Sequence, residues 1–320
     1  MRAFLIPDFE SPPRLVELPP VPPAAGEVTI EIEACGLNFA DLLMSRGKYQ
    51  ERPEPPVTLG MEMAGTIIRL GEGITGLVPG DRVAVFNGQG GLAEEANVPA
   101  ERCLKLPEGM PASHAAAFQV AYGTSHVALA HKARLQPGER LVVTGAAGGV
   151  GLTAVEIGAL MGAEVVAIAR GPEKLEVARK AGATHLIDAE SEDIRGQIKA
   201  LGGADVVYEA VGGELFNQCF RATNPDGRIL AIGFAGGEVP QIKANHLLVK
   251  NLSVIGLYWG GYLAFRPSVL TDSVAQLFDW YAQGRLQPHV SHELPLDQAA
   301  EALELLRQRR STGKVVVRMR

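Results

Sequence analysis

One stretch near the N-terminus alternates strictly between apolar and polar positions. Val28, Ile30 and Ile32 are apolar, and the residues between them are polar. A period of two residues predicts a β-strand with one buried face and one solvated face. The sequence around this strand is rich in turns, includes PGDRVAVF at 79–86, and predicts a small, irregular β-barrel.

A second pattern begins near residue 120, where apolar runs of strand length alternate with stretches of helix length. Such alternation predicts parallel strands joined by right-handed helical crossovers, which is an α/β fold with a doubly wound Rossmann sheet. The predicted strands lie at 141–143, 164–169, 184–188, 204–211, 228–233 and 252–258, and helices are predicted at 172–181, 190–201 and 214–222.

The last apolar run, Lys314–Arg318, has no place in a six-stranded sheet of this kind. We expect it to return to the β-rich region, which makes that domain discontinuous. A chain of 320 residues has room for two domains at roughly 150 residues each. The sequence therefore predicts a β-barrel domain over 1–118 and 261–320, and a Rossmann domain over 119–260.

The first strand and helix of the Rossmann region meet in a glycine-rich turn. Residues 140–162 read RLVVTGAAGGVGLTAVEIGALMG. Glycine permits the tight turn and lets a diphosphate approach the backbone N–H groups at the positive end of the helix. We predict a dinucleotide site there, although a glycine-rich turn without a ligand is the alternative. The predicted site residues are Gly145, Ala146, Ala147, Gly148, Gly149, Val150 and Gly151.

The residues after the second predicted strand indicate which dinucleotide binds. A site for NAD places an acidic residue there to bind the ribose 2′-hydroxyl. This chain has Arg170 instead, with Lys174 one helical turn later. Both cations suit a 2′-phosphate, so the prediction is NADPH. The alternative is a pair of solvated surface cations.

Composition and charge narrow the class of protein. The formal net charge is −6, which gives no general attraction to nucleic acid or anionic membranes. The uncharged windows are short and rich in glycine, so we expect no membrane span. Cys35, Cys103 and Cys219 form neither a CxxC site nor a disulfide framework, which favours a reducing cytoplasm.

Several motifs stand in a characteristic order: GLNFADLLMSRGKY at 36–49, GMEMAG at 60–65, PGDRV at 79–83, GAAGGVG at 145–151 and KNLSVIGLYWG at 250–260. In these motifs the chain resembles the medium-chain dehydrogenase/reductase superfamily, and within it the zinc-independent quinone oxidoreductases. The resemblance covers nearly the whole length. It implies a GroES-like fold for the discontinuous β-barrel domain, and a homodimer.

The resemblance also bears on metal binding. Zinc-dependent members have a cysteine ligand where this chain has Asn38, and a histidine where it has Met61. Neither an amide nor a thioether is a credible ligand of a catalytic Zn²⁺. Three cysteines also cannot form the four-cysteine structural site of those enzymes. We therefore expect no metal.

Without zinc, reduction of a quinone or an activated alkene needs a hydride and hydrogen bonds to the developing oxyanion. Asn38 and Tyr49 are the candidate catalytic residues. The Asn38 amide would donate to a carbonyl oxygen or to the nicotinamide ribose, or else would only stabilise its own loop. Tyr49 matches a catalytic tyrosine position of related enoyl reductases, and its alternative is a place at the barrel edge. Asp41 is interpreted as a loop-stabilising carboxylate.

Four further residues are assigned to the cofactor site. Gly233 and Phe234 follow the fifth predicted strand, and Tyr258 lies in the aromatic run after the sixth. The resemblance implies that an arginine just before the last strand reaches the cofactor phosphate. Arg309 and Arg310 are the candidates, and we assign Arg309. The cations of the C-terminal tail, which include Lys314, are interpreted mainly as a solvated helix end.

Three hypotheses on function follow. The leading one is an NADPH-dependent quinone oxidoreductase whose partner is a small-molecule quinone or enone. An NADPH-dependent reductase of 2-alkenals, enones or enoyl thioesters shares the hydride step and is the alternative among enzymes. The third is a protein that binds NADPH, or RNA, with little turnover, and the negative net charge argues against RNA.

Overall fold

The computed structural model describes residues 1–319. The strands in chain order are β1 (Arg2–Ile6), β2 (Arg14–Glu17), β3 (Glu27–Leu37), β4 (Val57–Thr58), β5 (Glu62–Leu70), β6 (Arg82–Phe86), β7 (Glu95–Pro99), β8 (Cys103–Lys105), β9 (Arg140–Thr144), β10 (Glu164–Ala169), β11 (His185–Asp188), β12 (Ala204–Glu209), β13 (Thr223–Ala231), β14 (Ser253–Gly256), β15 (Val290–Pro295) and β16 (Lys314–Arg318).

The α-helices are α1 (Phe39–Met44), α2 (Ala112–Ala116), α3 (Gln119–His126), α4 (Gly149–Leu160), α5 (Gly171–Lys180), α6 (Ile194–Ala200), α7 (Gly213–Ala222), α8 (Ala244–Lys250), α9 (Tyr262–Phe265), α10 (Ser268–Ala282) and α11 (Ala299–Arg307). A π-helix at Val127–Ala133 continues α3, and short 3₁₀ turns lie at Ala100–Arg102 and Leu296–Gln298.

The chain divides into two compact units, which are 1–120 with 288–320, and 121–287. Residues 261–287 therefore belong to the second unit, whereas the sequence prediction assigned them to the barrel. The reason is the buried face of α10, which includes Leu270, Val274 and Leu277. This helix packs within the second unit, where Ser273 Oγ lies 2.8 Å from His126 Nδ1.

Two sheets form the first unit. A seven-stranded sheet has the order β15-β16-β3-β5-β6-β8, with β7 also paired to β3, and a three-stranded sheet has the order β2-β1-β4. The predicted buried face of β3 is confirmed at Val28, Ile30 and Ile32. Thr29 on the face predicted to be solvated is also buried, because β7 covers it and Asn97 Oδ1 accepts a hydrogen bond from its hydroxyl. The last strand, β16, pairs antiparallel with β3. The prediction that it returns to the β-rich region is therefore confirmed.

The second unit is built around a six-stranded parallel sheet with the order β11-β10-β9-β12-β13-β14. From β9 the chain first adds strands on one side and then returns to add strands on the other. This reversal makes the sheet doubly wound, as predicted. Apolar side chains from β9, β10 and β13 are fully buried, among them Val142, Val166 and Ile229.

Helix α4 lies unusually close to the sheet. A Cβ atom on Gly158 would stand 2.4 Å from Leu141 Cδ2 of β9. Since Cβ atoms essentially never approach other heavy atoms that closely, any side chain at position 158 would require Leu141 to shift. At the other end of α4, Gly151 packs against the Gly145 carbonyl oxygen, which places the α4 N-terminus near the carboxyl end of β9. In residues 1–319 no helix is both long and apolar enough to cross a membrane.

Candidate functional site

The glycine loop, residues 145–151, joins β9 to α4 in the second unit. Gly145 has φ +60°, in the left-handed region that favours glycine, and Gly148 is the N-cap of α4. Backbone N–H groups in the first turn of a helix have no intrahelical acceptors. The N–H groups of Gly149, Val150 and Gly151 lie in this turn. They form a site at which an anionic group is favoured.

Two glycines of the loop have different reasons to be glycine. A Cβ on Gly151 would lie 2.1 Å from the Gly145 carbonyl oxygen, so internal packing excludes any side chain there. A Cβ on Gly148 would meet, among the described residues, only that same oxygen, at 3.3 Å. Gly148 is exposed and its φ of −82° suits any residue. Its missing side chain therefore leaves the helix N-terminus open to a ligand.

Other predicted cofactor residues lie along the same edge of the sheet. Arg170 follows β10 and is exposed, whereas Gly233 and Phe234 follow β13, and Tyr258 follows β14. Because the strands are parallel, their carboxyl ends meet at one edge, and the structure brings these residues to the edge that carries the glycine loop. Arg170 is also the N-cap of α5, and Lys174 lies one turn into that helix.

Glu209, at the end of β12, is a residue that sequence reasoning missed. Its Oε1 accepts hydrogen bonds from Thr144 Oγ1 at 2.9 Å, Val211 N–H at 2.6 Å and Gly212 N–H at 2.9 Å. The side chain is buried, and burial raises the pKa of its carboxyl. Glu209 thus ties the ends of β9 and β12 together where the strand order reverses, which is where ligands bind in such sheets. The available signal was an acidic residue that ends an apolar strand.

In the first unit, Asn38 is the N-cap of α1 and is held by side chains. Its backbone N–H donates to Asp41 Oδ2 at 2.8 Å. Its Nδ2 donates to Glu62 Oε1 at 2.9 Å and to the Gly36 carbonyl oxygen at 3.4 Å. Its Oδ1 accepts a hydrogen bond from Lys314 Nζ at 2.7 Å. We call Asn38, Asp41, Glu62 and Lys314 the Asn38 cluster.

The centre of the Asn38 cluster is a buried ion pair. Lys314 Nζ lies 2.7 Å from Glu62 Oε1, and it also donates to the Leu37 carbonyl oxygen at 2.8 Å. Glu62 Oε2 accepts the Val120 N–H at 2.9 Å. The relative exposure is 4% for Lys314 and 0% for Glu62. Such a pair is stable only because each charge keeps its partner and its hydrogen bonds.

The interpretation of Lys314 as a solvated cation of the C-terminal tail was wrong. In the antiparallel pairing of β16 with β3, Val315 stands opposite Leu37. This register brings Lys314 beside Asn38, inside the unit. The sequence carried no local signal for this, because the two residues are 276 positions apart.

Asp41 stabilises the loop, as the interpretation of its sequence position expected. It closes a capping box with Asn38 at the start of α1. The side chain is fully buried, and burial raises the pKa of its carboxyl to about 6. Hydrogen bonds from the backbone N–H groups of Asn38 and Gly60, together with the charge of Lys314, oppose that rise in pKa.

Tyr49 and Arg309 also lie in the first unit. Tyr49 is half-buried in the segment that follows α1, and Arg309 is exposed after α11 with φ +56°. The catalytic role of Tyr49 and the phosphate contact of Arg309 stay predictions.

Asn38 and Met61 stand at the positions where zinc-dependent relatives have metal ligands, and neither side chain faces a metal site formed by the described residues. Asn38 is engaged as described above, and Met61 is buried with a relative exposure of 2%. Within residues 1–319, no group of three or more His, Cys, Asp and Glu side chains is arranged to hold a metal ion.

Comparison with known proteins identifies the family. Residues 24–108 match the family described as alcohol dehydrogenase GroES-like domain, and residues 149–279 match the family described as zinc-binding dehydrogenase. The first of these matches confirms the GroES-like domain expected from the sequence.

Individual proteins agree with these matches. The quinone oxidoreductase-like protein 2 homolog of Nematostella vectensis is 43% identical over 91% of this chain and 81% of its own length. The crystal structure of the quinone oxidoreductase of Thermus thermophilus, also solved in complex with NADPH, is 35% identical, covers 100% of both chains and has a TM-score of 0.89. The Escherichia coli quinone oxidoreductase complexed with NADPH is 28% identical over 99% of this chain and 100% of its own, with a TM-score of 0.90. The chain therefore belongs to the medium-chain dehydrogenase/reductase superfamily, in its quinone oxidoreductase branch.

Proposed function

We propose that the protein is an NADPH-dependent oxidoreductase that reduces a quinone. The backbone conformation of Gly148 suits any residue, and an added Cβ would meet, among the described residues, only the Gly145 carbonyl oxygen at 3.3 Å, which would have to shift by a few tenths of an ångström. The observation that carries the proposal is therefore the missing side chain of Gly148. A diphosphate at the α4 N-terminus accounts for it, because a side chain there would stand between the phosphates and the N–H groups of Gly149 and Val150. The NADPH complexes of the Thermus and Escherichia coli enzymes support the choice of ligand.

The preference for NADPH over NADH is assigned to Arg170 and Lys174. Both follow the carboxyl end of β10, where NAD-binding members of this fold place an acid. Asp188, which pairs with Ala169 at the ends of β10 and β11, accepts hydrogen bonds from the backbone N–H groups of Gly171 and Glu190. Two cations at the position where an NAD site places an acid suit a 2′-phosphate.

Catalysis is assigned to hydrogen-bond donors of the first unit. When bound, NADPH supplies the hydride. The Asn38 amide donates to the substrate oxygen that becomes negative, and Tyr49 donates a proton or a hydrogen bond to the reduced product. A hydroquinone oxyanion can also take its proton from water, so a quinone makes the smaller demand on Tyr49.

A steady-state screen tests the proposal. NADPH and NADH oxidation are followed at 340 nm with quinones, enones and enoyl thioesters in parallel. We expect NADPH-dependent turnover with quinones. Turnover confined to enones or enoyl thioesters would instead establish the double-bond reductase. Tight NADPH binding without turnover across the whole panel would establish the protein that binds the cofactor only.

A paired substitution tests the cofactor preference. Changing Arg170 and Lys174 together to Ala should weaken NADPH binding by about 10- to 100-fold, the value of one or two charge-assisted contacts, and leave NADH binding nearly unchanged. Isothermal titration with each nucleotide measures both affinities. The exposed pair Arg179 and Glu176 on the same helix supplies a control, since Arg179→Ala should change neither affinity. Equal losses for NADPH and NADH would refute the phosphate contact.

We also propose that the protein is a homodimer that pairs through the second unit. Strand β14 is an edge of the six-stranded sheet, and the neighbouring helix α8 exposes Leu248 and Val249 at 77% and 75%. An unpaired edge beside exposed apolar side chains is typical of an interface. Changing both residues to Lys should convert a dimer to a monomer in analytical ultracentrifugation. A wild-type monomer at micromolar concentration would exclude the dimer.

A cytoplasmic location is proposed from the thiols. Cys35 and Cys219 are buried and unpaired, and Cys103 is half-buried and unpaired. Cysteines that form no disulfide are typical of proteins in a reducing compartment. Imaging of the tagged protein tests this, and accumulation in an oxidising compartment would contradict it.

A further inference from the structure

Two charged residues fix the orientation of the Asn38 amide. An amide can present either its oxygen or its NH₂ group to a neighbour, so the partners decide which way it points. The ammonium of Lys314 has donors and no acceptor, and it therefore faces Oδ1, at 2.7 Å. The carboxylate of Glu62 accepts the hydrogen bond from Nδ2, at 2.9 Å.

Neither charged group can form hydrogen bonds with the Asn38 amide in the opposite orientation. The three donors of Lys314 are all used, by Leu37, Asn38 and Glu62. The second oxygen of Glu62 is used by the Val120 N–H. A flipped amide would place NH₂ against an ammonium and C=O against a carboxylate, and both contacts are repulsive. Because both charges are buried, water cannot relieve them.

One proton of the Asn38 amide is left weakly engaged. The first Nδ2 proton is donated to Glu62, and the second points to the Gly36 carbonyl oxygen at 3.4 Å, which is the long end of the hydrogen-bond range. Asn38 is half-buried, so a ligand oxygen can approach it. Oδ1 is already occupied by Lys314.

We propose that Lys314 and Glu62 are positioning residues, which hold Asn38 so that it offers a substrate a hydrogen-bond donor and never an acceptor. The catalytic consequence rests on the proposed function. A donor at this position selects a substrate oxygen that gains negative charge, such as the carbonyl oxygen of a quinone or enone. The ion pair acts on the reaction through Asn38 and does not itself contact the substrate.

The orientation can be measured without turnover. The protein is labelled with ¹⁵N-asparagine, and the Asn38 side-chain NH₂ signals are assigned by their absence in Asn38→Ala. We expect at least one Nδ2 proton to exchange slowly with water in the wild-type protein. In the double variant Glu62→Gln with Lys314→Met, which removes both charges together, exchange should become at least tenfold faster.

A double-mutant cycle tests the catalytic consequence. Removing one oxyanion donor costs roughly 10²–10³ in kcat, so Asn38→Ala should lower kcat by about 100-fold while the NADPH Kd stays constant. The double variant at 62 and 314 should lower kcat by a similar factor. When the two substitutions are introduced into the Asn38→Ala background, they should lower kcat no more than twofold further. They act only by disturbing the Asn38 amide, which this background lacks.

The outcomes separate this inference from the proposed function. Equal kcat losses from the double variant with and without Asn38, or unchanged proton exchange in that variant, would overturn the positioning role. If none of the acceptors supports NADPH oxidation by the wild-type protein, the proposed function fails and the exchange measurement alone decides the positioning role. If the double variant does not fold, rapid Nδ2 exchange in the wild-type protein overturns it and slow exchange sustains it.

A matched control excludes a loss of general stability. Val28 is fully buried at the other end of β3, ten residues from Asn38. Val28→Ala lowers the stability of the same unit without touching the amide. It should leave both kcat and the exchange of the Asn38 NH₂ protons unchanged.

Discussion

The glycine loop and the Asn38 cluster are constructed in opposite ways. The loop is a run of consecutive residues, 145–151, that ends in the first turn of α4, where backbone N–H groups have no intrahelical acceptors. The cluster joins side chains that are 24 and 276 positions from Asn38, and its charges are buried. A site of the first kind is damaged by adding a side chain. A site of the second kind is damaged by removing one.

The largest effect is expected from breaking the buried ion pair. Lys314→Met leaves Glu62 buried without its cation, which typically costs about 3–5 kcal/mol of stability. Adding Glu62→Gln should restore most of this loss, because no uncompensated charge remains. Urea denaturation of both variants measures the free energy of unfolding.

An exposed ion pair in the same unit provides the contrast. Lys105 Nζ lies 2.9 Å from Asp81 Oδ2, with the Lys105 side chain 55% exposed. Lys105→Met should change the free energy of unfolding little, because solvent already screens this pair. If Lys314→Met proved equally mild, the Asn38 cluster would not depend on its buried charges.

A smaller effect is expected at Asp41, and it should depend on pH. Its carboxyl has a folded-state pKa of about 6 against an ordinary 3.8, so the folded protein binds more protons between these values. Protonated Asp41 therefore stabilises the fold at low pH. As pH rises through about 6 this contribution is lost, and the free energy of unfolding falls by up to about 3 kcal/mol. Asp41→Asn keeps an acceptor for the Asn38 N–H but removes this loss. Relative to wild type, the variant should gain stability between pH 4 and pH 7.

Asp81 supplies a control of opposite sign. Hydrogen bonds from Lys105 and from the Val78 N–H hold the pKa of its carboxyl below the ordinary value. The stabilisation from this group is lost as pH falls. The free energy of unfolding of Asp81→Asn should therefore decrease relative to that of the wild-type protein as pH rises. A gain for both variants over the same pH range would show that the Asp41 effect is not specific to burial.

Within the loop, Gly151→Ala should have the next largest effect. The added Cβ would lie 2.1 Å from the Gly145 carbonyl oxygen, which belongs to the backbone and cannot move aside cheaply. Overpacking of this kind costs about 1–3 kcal/mol. Thermal unfolding measures the loss. Gly256→Ala allows for the entropy of a replaced glycine, since φ at Gly256 lies outside the left-handed region and its added Cβ would meet nothing within 4 Å. Unchanged stability of Gly151→Ala relative to that control would contradict the close contact.

The difference between the two regions also explains what the sequence could predict. The glycine loop, its flanking strand and helix, and the cations after β10 are local, so spacing and periodicity revealed them. Lys314 was misinterpreted because its burial depends on the register between β16 and β3, which no local pattern records. Glu209 was missed because a single acid at a strand end becomes informative only when the strand order places it beside Thr144. Residues 261–287 were assigned to the barrel because the sequence does not record which surface covers the apolar face of α10.

The smallest effect on stability is expected at Gly148, and it is the sharpest test of the open helix end. Gly148→Ala costs a few tenths of a kcal/mol as a poorer N-cap but gains a similar amount from reduced freedom of the unfolded chain, so the net change should lie within about 0.5 kcal/mol. NADPH affinity should nevertheless fall by at least about tenfold, because the methyl group occupies space that a phosphate needs. Isothermal titration beside thermal unfolding separates the effect on binding from the effect on stability. Wild-type affinity in this variant would mean that the cofactor diphosphate lies elsewhere, whatever Gly151→Ala does to the fold.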